Sequence, residues 1–304
     1  MESGAECNGW TVINTCEEID LEKTLFSGQV FSFQRTGECE YTGVVGEYLM
    51  SFMQKRKTVL YKVLYGRKPT MSIHDAICYF FTLDISMHEL VTKWKFDGEC
   101  LSGLRMLRNE LVPTIFSFVC SSNNNIPRIT RMVWFLYSKG EFIMEYKGFR
   151  FHYFPSVDRL VGIEDELKAN GFGYRARYVC DAAEYLKRGS ESIVSGADCR
   201  KALLGIRGIG RKVADCILLI GLGRHGVVPI DTHMLNHAKK HFGICANGMS
   251  DKTYDRVQQM YVSKYGKYAG IAQLYIFKMM IDIRSKKTAR MAVHESTIDG
   301  VQQC

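Results

Sequence analysis

The 304-residue chain contains no run of 18 apolar residues. A membrane-spanning helix needs about 20 mostly apolar residues in a row, so the sequence predicts no such helix. Residues 1–6 are acidic and polar, whereas a secretory signal begins with basic residues and continues with an apolar stretch. We therefore expect no secretory signal and no membrane among the partners of this protein.

The eleven cysteines are not grouped in pairs or clusters. The sequence has no Cys-x-x-Cys pair and no Cys/His group at zinc spacing, so it lacks the common pattern of a structural zinc site. An odd number of widely spaced cysteines fits reduced thiols inside a cell better than a disulfide framework. We expect no metal and no cofactor, and we expect most of these thiols to be small core residues.

Charge is not scarce, but it is unevenly distributed. Charged residues make up 24% of the chain and hydrophobic residues 46%, which excludes a disordered protein and allows two packed domains. The net charge of +8 favours an anionic partner, although many basic proteins have none. Segment 201–240 holds seven Lys and Arg against two Asp, so we expect the positive excess to be concentrated there.

The spacing of apolar residues changes along the chain. Before residue 103, short runs alternate between apolar and polar residues (30–34, 41–45, 49–53 and 58–63), which predicts a small antiparallel sheet. After residue 104, apolar residues recur at helical spacing, for example over 126–137 and 213–220. The fold class is therefore α+β, with an N-terminal antiparallel β-sheet domain over 1–103, a mainly α-helical domain over 104–284 and a tail over 285–304.

The most informative segment is 203–217, in which Gly208 and Gly210 flank one apolar residue directly before a helical pattern. Glycines allow the chain to turn sharply and to expose backbone N–H groups at a helix start. Such a turn is a suitable site for a DNA phosphate. The same two glycines fit a plain turn between helices equally well.

Lys212 lies in the first turn of the helix that follows. The helix dipole, burial and the neighbouring Arg207 and Arg211 disfavour its charged form, which predicts a pKa lowered towards neutrality, as an amine nucleophile needs. The alternative is an ordinary solvated surface lysine. Nineteen residues later, Asp231 stands at another predicted helix start, where it is an N-cap and also a carboxylate facing the hairpin.

The two segments G-I-G-R-K-V-A-D-C and V-P-I-D-T-H-M resemble the helix–hairpin–helix DNA glycosylase superfamily and, within it, the eukaryotic-type 8-oxoguanine DNA glycosylases. Four further blocks follow the order of that family (27–31, 120–126, 173–178 and 268–273), so the resemblance spans roughly 10–284. It implies a mainly helical helix–hairpin–helix core that follows the N-terminal sheet domain in the chain, with the hairpin at about 203–217.

The resemblance implies a base-excision enzyme that acts on double-stranded DNA containing oxidised guanine. Lys212 would attack C1′ of a nucleotide flipped out of the duplex, giving a Schiff base and then β-elimination. Asp231 would stabilise positive charge that develops on the sugar. No metal is required. We expect a monomer, and a DNA substrate implies residence in the nucleus.

The resemblance also implies a pocket for the extruded base. Phe277 would stack on the base, and Gln273, one helical turn earlier, would bind its Watson–Crick edge. Cys216 would pack against the other side. The carbonyl of Gly28 would accept a hydrogen bond from N7–H, a proton that oxidised guanine carries and guanine lacks. Without the family, Phe277 and Cys216 fit core residues and Gly28 fits a turn.

Other residues are implied to hold the rest of the DNA. The gap and the orphaned cytosine would be held by four residues: Asn123, Arg128, Tyr174 and Arg175. His233 would contact a phosphate. The plain alternatives are a polar loop at 121–125 and arginines that bind phosphates without reading bases. The chain departs from the family at Arg207, where a proline is usual, and at Met280, where we expect an aspartate, although Asp282 is close by.

Two other interpretations stay open at this point. One is a different bifunctional helix–hairpin–helix glycosylase for oxidised bases. Many of these carry four closely spaced C-terminal cysteines for an iron–sulfur cluster, but only Cys245 and Cys304 follow Cys216 here. The other is a non-catalytic helix–hairpin–helix DNA-binding protein, which would need the hairpin but neither Lys212 nor Asp231.

Overall fold

The computed structural model describes residues 9–96, 99–189, 191–194 and 198–282. The tail predicted over 285–304 lies outside these residues. Within them, a five-stranded antiparallel sheet precedes a mainly helical region, so the α+β fold class is confirmed.

The N-terminal sheet has the strand order β1-β5-β4-β3-β2, with every neighbouring pair antiparallel. Its strands are β1 (Thr11–Val12), β2 (Gln34–Gly37), β3 (Glu40–Val45), β4 (Tyr48–Lys55) and β5 (Thr58–Gly66). The alternating run 30–34 reaches a strand only at Gln34, because residues 30–33 form a buried loop instead. One face of the sheet packs on an aromatic cluster made of Phe33, Phe52, Phe80 and Phe81.

Three short helices belong to this part of the chain, which alternation alone did not predict. They are α1 (Leu21–Leu25), α2 (Ile73–Phe80) and α3 (Met87–Trp94). Each begins at a residue whose side chain accepts a backbone N–H of the first turn, namely Asp20, Ser72 and Ser86. The N-terminal region is therefore a sheet covered by helices.

The remaining chain is mainly helical. Its helices are α4 (Leu111–Ser121), α5 (Ile126–Tyr137), α6 (Glu164–Ala169), α7 (Arg175–Lys187), α8 (Glu191–Val194), α9 (Cys199–Leu204), α10 (Arg211–Gly221), α11 (Thr232–Phe242), α12 (Asp251–Tyr265) and α13 (269–282, as far as the structure describes it). A hairpin of β6 (Phe142–Tyr146) and β7 (Phe149–His152) interrupts them. α10 packs against the deeply buried α4 and against α9. None of the described helices is long and apolar enough to cross a membrane.

The two regions share one packed junction. Leu104 and Met106 belong to the helical core, while Leu107 belongs to the sheet core. Between them, Arg105 is fully buried, pairs with Glu17 and donates to three backbone carbonyls of 81–85. The domain boundary at 103/104 stays a prediction, and it falls inside this shared packing.

The cysteines differ from the expectation. All nine that lie within the described residues are free thiols. Only Cys120, Cys180 and Cys216 are buried, and the other six are partly or fully exposed. The prediction that most of them are core residues is therefore wrong.

Candidate active site

A cavity of about 560 Å³, a volume that includes its open mouth, lies between α10, α13 and the loop at 27–29. This volume is within the range of ligand pockets, about 300–1,000 Å³. Six residues that sequence reasoning selected line it together: Gly28, Lys212, Cys216, Asp231, Gln273 and Phe277. Pro229 of the V-P-I-D-T-H-M segment also lines it, as do Met106 and Phe118, to which no motif in the sequence pointed.

Lys212 enters the cavity from the first turn of α10. The helix begins after Gly210, whose extended backbone makes it the N-cap. The Lys212 ammonium lies 5.7 Å from the centroid of the Phe118 ring, a distance suited to a cation–π contact. The alternative of an ordinary solvated lysine is therefore wrong.

The protonation of Lys212 also differs from the expectation. Its pKa is raised, first by attraction to a Cys216 thiolate and also by the Asp231 carboxylate, and together these outweigh burial, which lowers it. The pKa of Cys216 is raised overall, because burial outweighs the nearby ammonium, which lowers it. The prediction of a lowered lysine pKa is wrong because it considered the helix and the arginines but not these two partners. Lys212 and Cys216 titrate as a coupled pair.

Asp231 has two roles in the structure. Its side chain accepts the backbone N–H of Met234 at 2.8 Å, which confirms the predicted N-cap of α11. The same carboxylate lines the cavity that contains Lys212. The helix start therefore fixes an acid beside the amine. Among the described residues, no three His, Cys, Asp or Glu side chains are placed to hold a metal ion.

Gln273 and Phe277 line the cavity from one face of α13, and both are only partly buried, so Phe277 is not a core residue. His233 contacts the Phe277 ring, with 5.7 Å between the ring centroids. The position of α13 depends on Gly270, because a Cβ there would lie 2.3 Å from the Val227 carbonyl oxygen. That close approach brings Gln273 and Phe277 to the cavity.

Gly28 lies in a loop that a buried side chain anchors. Its φ of +86° is a conformation that favours glycine. The neighbouring Gln29 donates to the Arg105 carbonyl at 3.0 Å and accepts the Leu107 N–H at 2.9 Å. Sequence reasoning missed this anchor, since the partners of Gln29 are more than 70 residues away in the chain.

The hairpin forms where the sequence predicted it, but its two glycines differ. Gly208 has φ +88°, and a Cβ there would lie 2.4 Å from the Tyr178 ring, so both conformation and packing require glycine. Gly210 has ordinary backbone angles and open space where a Cβ would lie. The N-terminus of α10 is therefore open to a phosphate group.

The four residues predicted to hold the gap and the orphaned base lie at the starts of two helices: Asn123 and Arg128 just before and in the first turn of α5, and Tyr174 and Arg175 at the start of α7. Tyr174 is 52% exposed, and its hydroxyl donates to the Ser122 carbonyl. Arg128 donates to the Gly171 carbonyl. Arg175 is only 2% exposed, and its guanidinium donates to the carbonyls of Ser122 and Asn123. In this structure Arg175 therefore shapes the Asn123 loop instead of presenting an unoccupied guanidinium.

The positive charge of segment 201–240 is partly neutralised by acidic residues outside it. Arg211 pairs with Asp251 and Asp255 on α12. Arg207 lies 3.6 Å from an oxygen of Asp181 on α7. The concentration of charge expected from the sequence is therefore smaller in the folded chain. Met280, at the position where an aspartate was expected, packs against the apolar cluster around α11 and α12.

The chain is similar in sequence to known proteins. Residues 11–115 match the family described as 8-oxoguanine DNA glycosylase, N-terminal domain. The N-glycosylase/DNA lyase OGG1 of Arabidopsis thaliana is 36% identical over 295 residues, which cover 90% of this chain and 80% of the relative. The N-glycosylase/DNA lyase of Saccharomyces cerevisiae is 31% identical over 280 residues, covering 78% and 74%.

A solved structure shares the fold over nearly the whole chain. It is the Clostridium acetobutylicum 8-oxoguanine glycosylase/lyase in complex with double-stranded DNA containing cytosine opposite 8-oxoG. The two structures superpose with a TM-score of 0.78 at 24% identity, over 93% of this chain and 99% of the other. The sheet and the helical region thus have the same architecture in both proteins.

Proposed function

This chain belongs to the N-glycosylase/DNA lyase family, and on that premise we propose that it removes 8-oxoguanine opposite cytosine from double-stranded DNA and cleaves the strand there. The family gives the chain its bifunctional glycosylase and lyase activity. The observation that carries the proposal is the cavity in which an amine, Lys212, and a carboxylate, Asp231, meet.

The proposed chemistry begins with the unprotonated amine of Lys212. It attacks C1′ of the flipped nucleotide, the N-glycosidic bond breaks, and its electron pair leaves with the base, which takes up a proton. The nitrogen loses a proton, and its electron pair forms the C1′=N bond of a Schiff base while the C1′–O4′ bond breaks and O4′ takes up a proton. Loss of a proton from C2′ then expels the 3′ phosphate. Asp231 stabilises the positive charge on the sugar during the first step.

The other cavity residues suit recognition of the base. Phe277 offers a ring for stacking and Gln273 an amide for the Watson–Crick edge. Cys216 packs on the opposite side, next to Lys212. The Gly28 carbonyl supplies an acceptor for N7–H, and a base without that proton would leave the acceptor unpaired in a confined site.

For the opposite strand, we propose that Asn123, Tyr174 and Arg128 fill the gap and hold the orphaned cytosine. Arg175 supports them through the carbonyls of their loop. His233, at the start of α11, would contact a phosphate near the mouth of the cavity. The open start of α10 at Gly208 and Gly210 would bind another phosphate.

The test compares wild type with Lys212→Gln and with Lys93→Gln, a surface lysine on α3, on duplexes with 8-oxoguanine opposite each base. Wild type and Lys93→Gln should release the base and cut the strand, fastest opposite cytosine. Lys212→Gln should bind the duplex with the same salt dependence but not cut it. Binding without base release by wild type would favour a non-catalytic DNA-binding protein instead.

We further propose that the protein acts as a monomer in the nucleus. The residues that line the cavity all belong to one chain, and the two relatives named above come from eukaryotes, whose chromosomes are nuclear. Light scattering of the purified protein, and imaging of a fluorescent fusion, test these two points separately.

A further inference from the structure

Four side chains form a network beside the cavity without lining it: Arg200, Asp215, Tyr254 and Gln258, here called the Asp215 network. We infer that this network positions the Lys212 amine relative to the Asp231 carboxylate. The inference rests on the proposed function, because it assigns a role in the same reaction. Its members act through other residues and do not touch the substrate cavity.

Asp215 holds the helix that carries the nucleophile. It lies on α10 three residues after Lys212, and its side chain is fully buried. One carboxylate oxygen accepts the Tyr254 hydroxyl at 2.5 Å and the Gln258 amide at 2.9 Å. The other lies 2.5 Å from the Arg200 guanidinium. α10 is thus tied to α9 through Arg200 and to α12 through Tyr254 and Gln258.

The same two α12 side chains hold the segment that leads to the acid. Val228 and Ile230 are buried in irregular backbone, whose polar groups need partners. The Ile230 N–H donates to the Tyr254 hydroxyl oxygen at 3.1 Å. The Val228 carbonyl accepts the Gln258 amide at 2.9 Å. Pro229 between them lines the cavity, and Asp231 follows directly.

A short path therefore joins the two catalytic groups. It runs from Asp231 through the Ile230 N–H, the Tyr254 hydroxyl and the Asp215 carboxylate to the helix of Lys212. Tyr254 is the central link, because its hydroxyl accepts the Ile230 N–H and donates to the Asp215 carboxylate. A displacement of about 1 Å at a reacting group can reduce a rate about a hundredfold. Loosening this path should affect the reaction more than DNA binding.

The first experiment compares Tyr254→Phe and Asp215→Asn with Tyr48→Phe. Tyr48 is a matched control, because it is a buried tyrosine of β4 whose hydroxyl donates to the Met71 carbonyl at 2.8 Å. The readouts are the single-turnover rate of base release, normalised to the titrated active fraction, and the dissociation constant for lesion DNA. Tyr254→Phe and Asp215→Asn should lose about ten- to hundredfold in rate with the dissociation constant within about twofold. Tyr48→Phe should keep the wild-type rate.

A second measurement separates positioning from a general loss of structure. In an Asp231→Asn background, Tyr254→Phe should cost little additional rate, because its effect acts through Asp231. Additive losses, or an unchanged rate in Tyr254→Phe beside an active wild type, would overturn the inference and leave the proposed function intact. No base release by wild type would overturn both. If Asp215→Asn does not fold, Tyr254→Phe decides the question alone.

Discussion

Two buried carboxylates, Glu40 in the N-terminal sheet and Asp215 on α10, have opposite protonation behaviour. Burial raises the pKa of Glu40, but hydrogen bonds from Lys147, Ser51 and Tyr146 outweigh it, so the pKa is lowered overall. Burial raises the pKa of Asp215, and its hydrogen bonds and ion pair do not overcome it. The ionised form therefore favours folding at Glu40 and costs folding energy at Asp215.

The difference lies in what each carboxylate joins. Glu40 connects β3 to the β6–β7 hairpin through Tyr146 and Lys147, and none of these three residues lines the cavity. Asp215 connects the helix of Lys212 to α12, which holds the segment before Asp231. A carboxylate that costs stability yet lies beside the reacting groups is consistent with a role in function. We therefore expect changes at Glu40 to alter stability and changes around Asp215 to alter the reaction.

The largest expected effect is on stability, in Glu40→Ala. This change leaves Ser51, Tyr146 and Lys147 without their shared acceptor, and we expect a loss of about 3 kcal/mol in the free energy of unfolding. Urea unfolding measures the loss. At a temperature where the variant stays folded, its single-turnover rate of base release should equal that of wild type. A reduced rate would contradict the idea that Glu40 contributes to stability and not to the reaction.

As the pH falls, the histidines of the helical region should lower the free energy of unfolding before the Glu40 contribution is lost. Burial, together with nearby positive charge, lowers the pKa of His225 and of His237 to about 4. Since unfolded histidine binds its proton near pH 6.5, stability should fall as pH drops from about 6.5 to 4, by about 2 kcal/mol for the buried His225. The Glu40 contribution is lost only as pH falls through its lowered pKa. Unfolding free energies at several pH values, with His225→Gln as comparison, test this order, and a flat profile above pH 5 would contradict it.

A smaller effect should separate the amide variants of the two acids. Glu40→Gln removes a charge that stabilises the fold, so at neutral pH it should lose about 1 kcal/mol or more. Asp215→Asn removes a charge that burial penalises, so its unfolding free energy should change less than that of Glu40→Gln. Parallel urea titrations give both unfolding free energies. A larger loss in Asp215→Asn than in Glu40→Gln would show that the Asp215 charge, not the Glu40 charge, stabilises the fold more.

The smallest expected effect is a shift of the pH–rate profile in Cys216→Ala. The raised pKa of Lys212 keeps the amine protonated near neutrality, so the rate of Schiff-base formation should rise with pH. Cys216 is the main cause of that raised pKa, so its removal should move the rising limb to lower pH. Glu40→Gln should leave the profile in place. A Cys216→Ala pH–rate profile identical to that of wild type would show that the thiol does not set the pKa of Lys212.

Six of the residues that line the cavity could be predicted because they stand in or beside short motifs that carry the family resemblance. The hairpin, Lys212, Asp231, Gln273 and Phe277 stand in local patterns that tertiary packing then brought together. The Asp215 network could not be predicted, because Tyr254 and Gln258 belong to no motif and act only through α12 packing. The pKa of Lys212 was predicted with the wrong sign because the prediction weighed only the helix dipole, burial and the arginines. Cys216, one turn along α10, and Asp231 were both selected from motifs, but their effect on the pKa of the amine was not considered.

The contacts of Arg175 and the β6–β7 hairpin were also not predicted from the sequence. The sequence gives Arg175 a positive charge in a family block, but only the folded loops give it two backbone carbonyls to bind. The hairpin strands are short, with five and four residues, so each offers little pattern to detect. The partners of Arg175 lie 53 and 52 residues away in the chain.

The proposed reaction forms a covalent bond between one amine and the sugar, so the most direct measurement is the site of that bond. Wild-type protein, lesion duplex and borohydride should give a stable protein–DNA adduct, and mass spectrometry of its peptides should locate the nucleotide on Lys212. An adduct on another residue, or the same amount of adduct in Lys212→Gln, would contradict the account.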